Sequence, residues 1–240
     1  MSRVLVFITG GSSGIGRALL DSLPFPGARA INFSRRAGPA SEHIAVDLAD
    51  PAQWQRVAAV FEAALHGFAG DRVVFVHAAG TLTPIRFAGE GDAAAYQRNV
   101  LLNSAAPQVL GDALLRALRD VPARADLLFL GSGASKTVYE GWSGYCAGKA
   151  AVDHWTRTVG AEQARRGGRR RILCVAPGVV ATAMQSEIRE TAPDDFPELL
   201  LFRALHDDGV LREPAAVARE LWALLERELP NGSILDLRNA

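Results

Sequence analysis

The sequence predicts an α/β protein, with a parallel sheet covered by helices on both faces and a single domain spanning residues 1–240. Three observations predict it. Short apolar runs alternate with longer helical patterns along the whole chain, the mark of strand–helix–strand units. Those runs are near-continuously apolar rather than alternating, as strands buried on both faces must be. No stretch reads as a linker, repeat or low-complexity tract. A chain of this length buries roughly 70–75% of its unfolded surface, so it needs neither disulfide nor metal to hold a core.

The elements follow in order. Val4–Ile8 is the first strand and runs into a glycine-rich turn, after which a helix pattern covers Ile15–Leu23. Strands at Ala30–Phe33 and His43–Val46 precede a helix over Pro51–Phe68. Val73–His77 is the next strand, followed by a long helical stretch over Asp92–Leu118. Asp126–Leu130, a helix over Ser143–Arg166, the strand Ile172–Val175, a helix over Pro214–Arg227 and the strand Ser233–Leu237 complete the pattern. Residues 183–210 are less periodic and hold Pro193, Pro197 and Gly209, which places a mobile lid over a substrate there.

Composition narrows the function. Basic and acidic residues balance at 26 each, for a net charge of zero, which argues against a nucleic-acid or membrane-surface partner. The basic run Arg165-Arg166-Gly167-Gly168-Arg169-Arg170-Arg171 lies between a helix and a strand and reads as a solvated turn. Two cysteines supply no zinc spacing and no disulfide framework, so no metal is expected. The first apolar run is too short for a signal peptide and none is long enough to span a membrane, so the expectation is a cytoplasmic protein.

The first strand enters Thr9-Gly10-Gly11-Ser12-Ser13-Gly14-Ile15-Gly16 and then a helix. Glycines at 10, 14 and 16 let the backbone turn sharply, approach a diphosphate and aim amide N–H groups at it. This strand–turn–helix unit is of the Rossmann type and makes the sheet doubly wound, in three α/β/α layers. At the end of the second strand an acid would grip the ribose of NAD. Here stand Arg35 and Arg36, which suit the extra phosphate of NADP. Asp47-Leu48 would bracket the adenine, although Asp47 equally suits a cap on the helix from Pro51.

Tyr145 and Lys149 stand four residues apart on one helix face, and Lys149 is one of only two lysines, with Lys136, among 26 basic residues. A compact ammonium beneath a phenol does what a planar guanidinium cannot. Beside these, Ser132 precedes Tyr145, and Pro177-Gly178 is followed by Thr182. In this order and spacing the motifs resemble the short-chain dehydrogenase/reductase family over essentially the whole chain. The second half is most similar to the sepiapterin and benzil reductases within it. Its carrying stretches are Gly131–Lys136, Gly141–Ala151, Pro177–Gln185 and the tail Asn231–Asp236.

The resemblance implies Tyr145 as general acid and base, Lys149 as its charge partner and ribose ligand, and Ser132 as the hydrogen-bond partner of a carbonyl. It implies a fourth residue, an asparagine on the preceding helix. Asn103 fits best, with Asn99 the alternative. Ala79 and Gly80 would border the cofactor, and Thr182 would touch its carboxamide. Two departures stand out. His77-Ala78-Ala79-Gly80 replaces an Asn-Asn-Ala-Gly brace, and Ser13 stands where many NADP enzymes of the family carry arginine.

A phenol of ordinary pKa, about 10, is a poor proton donor at neutral pH, and Lys149 is expected to lower it. Trp142 and Met184 would line an apolar substrate pocket, and Asp236 matches the position where sepiapterin reductases anchor a pterin, or else closes the last strand into solvent. The expected function is an NADPH-dependent carbonyl reductase for an aromatic or vicinal dicarbonyl, built as a homodimer or homotetramer. An NAD-dependent alcohol dehydrogenase and a non-catalytic cofactor sensor are the alternatives.

Overall fold

The computed structural model describes residues 4–39 and 41–239. Seven strands form one all-parallel sheet: β1 (Val4–Thr9), β2 (Arg29–Ser34), β3 (Glu42–Ala45), β4 (Arg72–His77), β5 (Arg124–Leu130), β6 (Arg170–Ala176) and β7 (Ser233–Asp236). They lie in the order β3-β2-β1-β4-β5-β6-β7. The order reverses between β1 and β4, and in such sheets ligands bind where strand ends part at that reversal.

Period-two alternation divides each strand between two cores. Leu5 and Phe7 of β1 pack with Phe33, Phe61, Phe75 and Phe129 beneath α2 (Trp54–Leu65), α4 (Ala106–Ala117) and α5 (Ser143–Arg165). Val6 and Ile8 face the other way, against α1 (Gly14–Asp21) and α8 (Pro214–Leu224). The phenylalanines meet edge to face, with ring centroids 4.8 Å apart for Phe7 and Phe61 and 5.8 Å for Phe75 and Phe129. Each such fully buried ring stabilises the fold by roughly 1.5–3 kcal/mol.

Helix starts are set locally. Asp50 accepts from the Ala52 amide at 3.1 Å and caps the turn at Pro51–Gln53, so the cap falls to Asp50 and not to Asp47. Asp92 does the same for α3 (Ala93–Val100), accepting from Ala95 at 2.7 Å. Between α3 and α4 the chain loosens into a π-helical turn at Leu101–Ala105. Pro107, four residues after Asn103, has no N–H to return to the Asn103 carbonyl.

Residues 183–210, expected to lie over a substrate, contain α6 (Ala183–Arg189) and α7 (Leu199–Asp207). Both are too short to show a clear period and are held by a third cluster of Trp142, Tyr145, Ile188, Phe196, Leu199 and Phe202. One expectation needs correction: the basic run is not wholly solvated. Arg170 is buried and donates to the carbonyls of Leu118, Val121 and Ala123. Arg171 binds Asp126 at 2.8 Å and reaches the Leu225 and Arg227 carbonyls. These arginines clamp helix ends to the sheet.

Candidate active site

Above the C-terminal ends of β1 and β4 opens a cavity of about 720 Å³. Its floor is the glycine turn. Gly10 and Gly14 take positive φ, 72° and 53°, where other residues are strained. A Cβ on Gly16 would stand 2.3 Å from the Gly10 carbonyl oxygen, and one on Gly10 would stand 2.9 Å from the Ala79 amide nitrogen. The turn therefore packs backbone on backbone, with the amide end of α1 facing the cavity that Ser12, Ser13 and Ile15 also line. That shape fits a dinucleotide diphosphate.

Arg35, Arg36, Asp47 and Leu48 line one end of the cavity. Both arginines are exposed. Asp47 binds Arg98 at 2.6 Å and accepts from the Ala49 amide at 3.0 Å. Burial pushes the Asp47 carboxyl up, but those hydrogen bonds and the charges of Arg98 and Arg35 together hold it below the usual range. Ala79, Gly80, Pro177, Gly178 and Thr182 border the middle, and a Cβ on Gly14 would lie 3.3 Å from Thr182 Cγ2.

Ser132, Tyr145 and Lys149 converge at the far end. Ser132 follows β5 and caps a short turn, accepting from the Ala134 amide at 3.1 Å. Lys149 Nζ is buried, donates to the Leu130 carbonyl at 2.8 Å and lies 5.6 Å from the Tyr145 ring centre. Asn103 sits in the π-helical turn, pressed so closely on α5 that a Cβ at Gly148 would stand 2.8 Å from its own Cβ. Its side chain pairs with both backbone groups of Thr81, at 3.1 and 2.8 Å, and accompanies Asn99, which holds the Thr83 carbonyl at 2.9 Å.

A model of the short chain dehydrogenase family matches residues 4–193. The chain belongs to the short-chain dehydrogenase family. It is 33% identical to the benzil reductase ((S)-benzoin forming) of Bacillus subtilis over 238 residues, covering 98% of each chain. It is 30% identical to the sepiapterin reductase of Mus musculus, over 92% of this chain and 91% of that one. The crystal structure of the short-chain dehydrogenase/reductase YIR035C from Saccharomyces cerevisiae superposes with a TM-score of 0.81 at 24% identity, covering 97% of this chain and 95% of that one. As a short-chain dehydrogenase, the protein is an NAD(P)-dependent oxidoreductase. No helix among its described residues is long and apolar enough to cross a membrane.

Within this short-chain dehydrogenase the electrostatics of the phenol differ from expectation. Burial pushes the Tyr145 hydroxyl above its ordinary range, and a hydrogen bond with Ser132 opposes this without reversing it. One N–H of the Lys149 ammonium is taken by the Leu130 carbonyl, and burial pushes Lys149 down in turn, against the pull of Cys174 and Asp153. For Tyr145 the loss of water around the charged form is the largest effect.

His77 is also buried, with Phe75 and Phe129 as ring neighbours, and neither of its nitrogens has a partner. Burial and then the Lys149 charge lower it to about 3. The brace expected to be missing beside it is supplied by Thr9, whose hydroxyl accepts from the Ala78 and Ala79 amides at 3.1 and 3.2 Å.

On the substrate side, Trp142 and Met184 line the cavity as expected, while Asp236 does not. Its carboxylate is taken by Arg238, at 2.9 Å from Nε and 2.6 Å from the terminal nitrogen, and it is Arg238 that reaches the cavity wall. The sequence offered only the two-residue spacing as a signal for this pair. Gln185 and Phe202 line the same wall, within the segment expected over the substrate, although no period in that segment marks either side chain.

Proposed function

We propose that this chain is an NADPH-dependent carbonyl reductase acting on an aromatic or vicinal dicarbonyl. The observation that carries the reading is the convergence of the buried Tyr145 hydroxyl, Ser132 and Lys149 in one cavity, since a reductase must deliver a proton to the carbonyl oxygen. The Bacillus subtilis benzil reductase and the mouse sepiapterin reductase, similar over nearly the whole chain, support it.

When bound, the reduced nicotinamide supplies the hydride. The glycine turn, Thr182 and Lys149 would hold the cofactor, and Arg35 with Arg36 would meet the phosphate that distinguishes NADP. Ser132 donates a hydrogen bond to the substrate carbonyl oxygen and stabilises the developing alkoxide. Tyr145 gives its hydroxyl proton to that oxygen as the C–H bond forms, so ketone becomes alcohol. Lys149 then stabilises the phenolate left behind.

The α6–α7 segment covers the substrate, tied to the opposite rim by the Thr83–Glu187 hydrogen bond and the Arg86–Asp195 ion pair. The protein assembles as a homo-oligomer, and exposed Tyr96, Val100 and Val109 along α3 and α4 suit that contact. The test is a panel of α-dicarbonyls, pterins and simple ketones assayed with NADPH and NADH. Rapid NADPH oxidation with the dicarbonyls is expected. Oxidation of neither cofactor by any carbonyl would overturn the reading.

A further inference from the structure

Lys149 carries its charge in a place poor in water. The side chain is only 6% exposed, and burial is the largest influence on it, favouring the neutral amine. The Leu130 carbonyl takes one of its donors at 2.8 Å. A charge this deep also needs an opposite charge close by.

Helix α5 supplies one. Asp153 stands four residues after Lys149 on the same helix face and is buried as well, at 3% exposed. Side chains so spaced have Cβ atoms about 5–6 Å apart. The sheet then brings their polar ends to neighbouring points. Lys149 donates to Leu130 of β5, and Asp153 accepts from the Cys174 thiol of β6 at 3.2 Å. Phe129 and Leu130 are in register with Cys174 and Val175, so the two landing points lie one residue apart across the ladder. Gly131 permits this approach, since a Cβ there would stand 2.8 Å from the Cys174 sulfur.

The other titratable groups around the pair bring no negative charge at neutral pH. Cys174 and Asp153 both pull Lys149 back toward its charged form, but burial and then Asp153 push the Cys174 thiol well above its ordinary range. The thiol is therefore an uncharged donor. Burial raises Tyr145, one turn before Lys149, and His77 of β4 is lowered to about 3 by burial and then by the Lys149 charge. Arg157, one turn beyond Asp153, is exposed and positive. Asp153 is the anion left to face the ammonium.

We propose that Asp153 is a positioning residue, the interior counter-ion that keeps Lys149 charged for its work beside Tyr145, with the Cys174 thiol orienting the carboxylate. It acts through Lys149 and is not among the residues lining the cavity. The inference rests on the carbonyl-reductase reading for what the charge does, while the charge itself is measurable without turnover.

The test uses the scarcity of lysine. The chain has only Lys136 and Lys149, so lysine labelled with carbon-13 at Cε gives two NMR signals, with exposed Lys136 as the internal standard. Both are titrated in wild type, Asp153→Asn, Asp153→Leu and Cys174→Ser. In wild type Lys149 should hold its proton through neutrality, whereas buried lysines without a counter-ion titrate near about pH 5–6. Either Asp153 variant should lower the Lys149 midpoint by about one to two pH units and leave Lys136 in place. Cys174→Ser keeps a donor and removes no charge, so its midpoint should match wild type. The pH above which carbonyl reduction fades should fall with the midpoint in the Asp153 variants.

A wild-type Lys149 midpoint below neutrality would overturn the counter-ion. So would a midpoint unmoved in the folded Asp153 variants, or a shift in Cys174→Ser as large as theirs. If no carbonyl is reduced at any pH, the reductase reading falls and the NMR midpoints still decide this one. Melting temperatures identify a variant that fails to fold, and the other Asp153 variant then carries the comparison. Should both fail, the wild-type midpoint decides.

Discussion

Lys149 donates its ammonium to the carbonyl of Leu130 at 2.8 Å, tying helix α5 to the end of the strand that leads into Ser132. One buried contact thus sets the spacing between Ser132 and Tyr145. A planar guanidinium does not concentrate its charge at one point as the ammonium does. Lys149→Arg should lower turnover by about a hundredfold or more and weaken cofactor binding, read by steady-state kinetics and fluorescence titration. A fully active arginine variant would contradict this.

Tyr145→Phe removes only the hydroxyl from a ring held edge to face by Trp142. The fold and cofactor affinity should persist while turnover falls by roughly two or more orders of magnitude, the scale of general acid catalysis. Because burial raises the hydroxyl, its acid form persists through neutrality and is lost only as pH climbs past its ordinary value of about 10. The wild-type rate of reduction should therefore show no loss attributable to this group between about pH 6 and 9. An inflection in that range that vanishes in Lys149→Met would show that the ammonium, and not burial, governs the phenol.

Arg35 and Arg36 face the cavity from the end of β2. A charge-assisted hydrogen bond contributes roughly 1.5–3 kcal/mol, so Arg35→Ala should weaken NADPH by about ten- to a hundredfold while changing NADH little. Dissociation constants for both cofactors check it, and equal loss for the two would remove Arg35 from the phosphate site.

His77 makes stability depend on pH. Its folded value, about 3, lies below the unfolded value of about 6.5, so between the two only the unfolded chain binds a proton. The neutral ring costs nothing above pH 6.5, and stability is lost progressively as pH falls from there toward 3. The loss is on the order of several kcal/mol at most. Denaturant midpoints measured from pH 7 to 4 should fall less steeply in His77→Asn than in wild type. Parallel slopes would mean that the ring is hydrated in the folded state.

Asp126 is fully buried and holds Arg72 and Arg171 at 2.7 and 2.8 Å, with Arg124 at 3.3 Å. Removing one member of a buried charge cluster strands the others, at about 3–5 kcal/mol. Asp126→Ala should lower the melting temperature by several degrees or more, with cofactor affinity in the surviving folded fraction unchanged, since the cluster lies at the opposite end of the strands from the cavity. A wild-type melting curve for the variant would refute the clamp.

All seven strands, the five long helical stretches, the glycine turn and the Tyr145–Lys149 register were legible in the sequence, because each is a local repeat or a short fixed spacing. The tertiary structure decided everything that depends on what faces what across the chain. Arg170 and Arg171 are clamps because distant carbonyls and Asp126 meet them. Asp236 is masked because Arg238 folds back on it. Residues 183–210 form short helices because Trp142 gives Phe196 and Phe202 a surface to pack on. The Tyr145 hydroxyl is pushed above its ordinary range because the surrounding packing strips water from it, an effect no spacing records. Periodicity encodes which face of an element is apolar; desolvation and long-range pairing exist only once those faces have met.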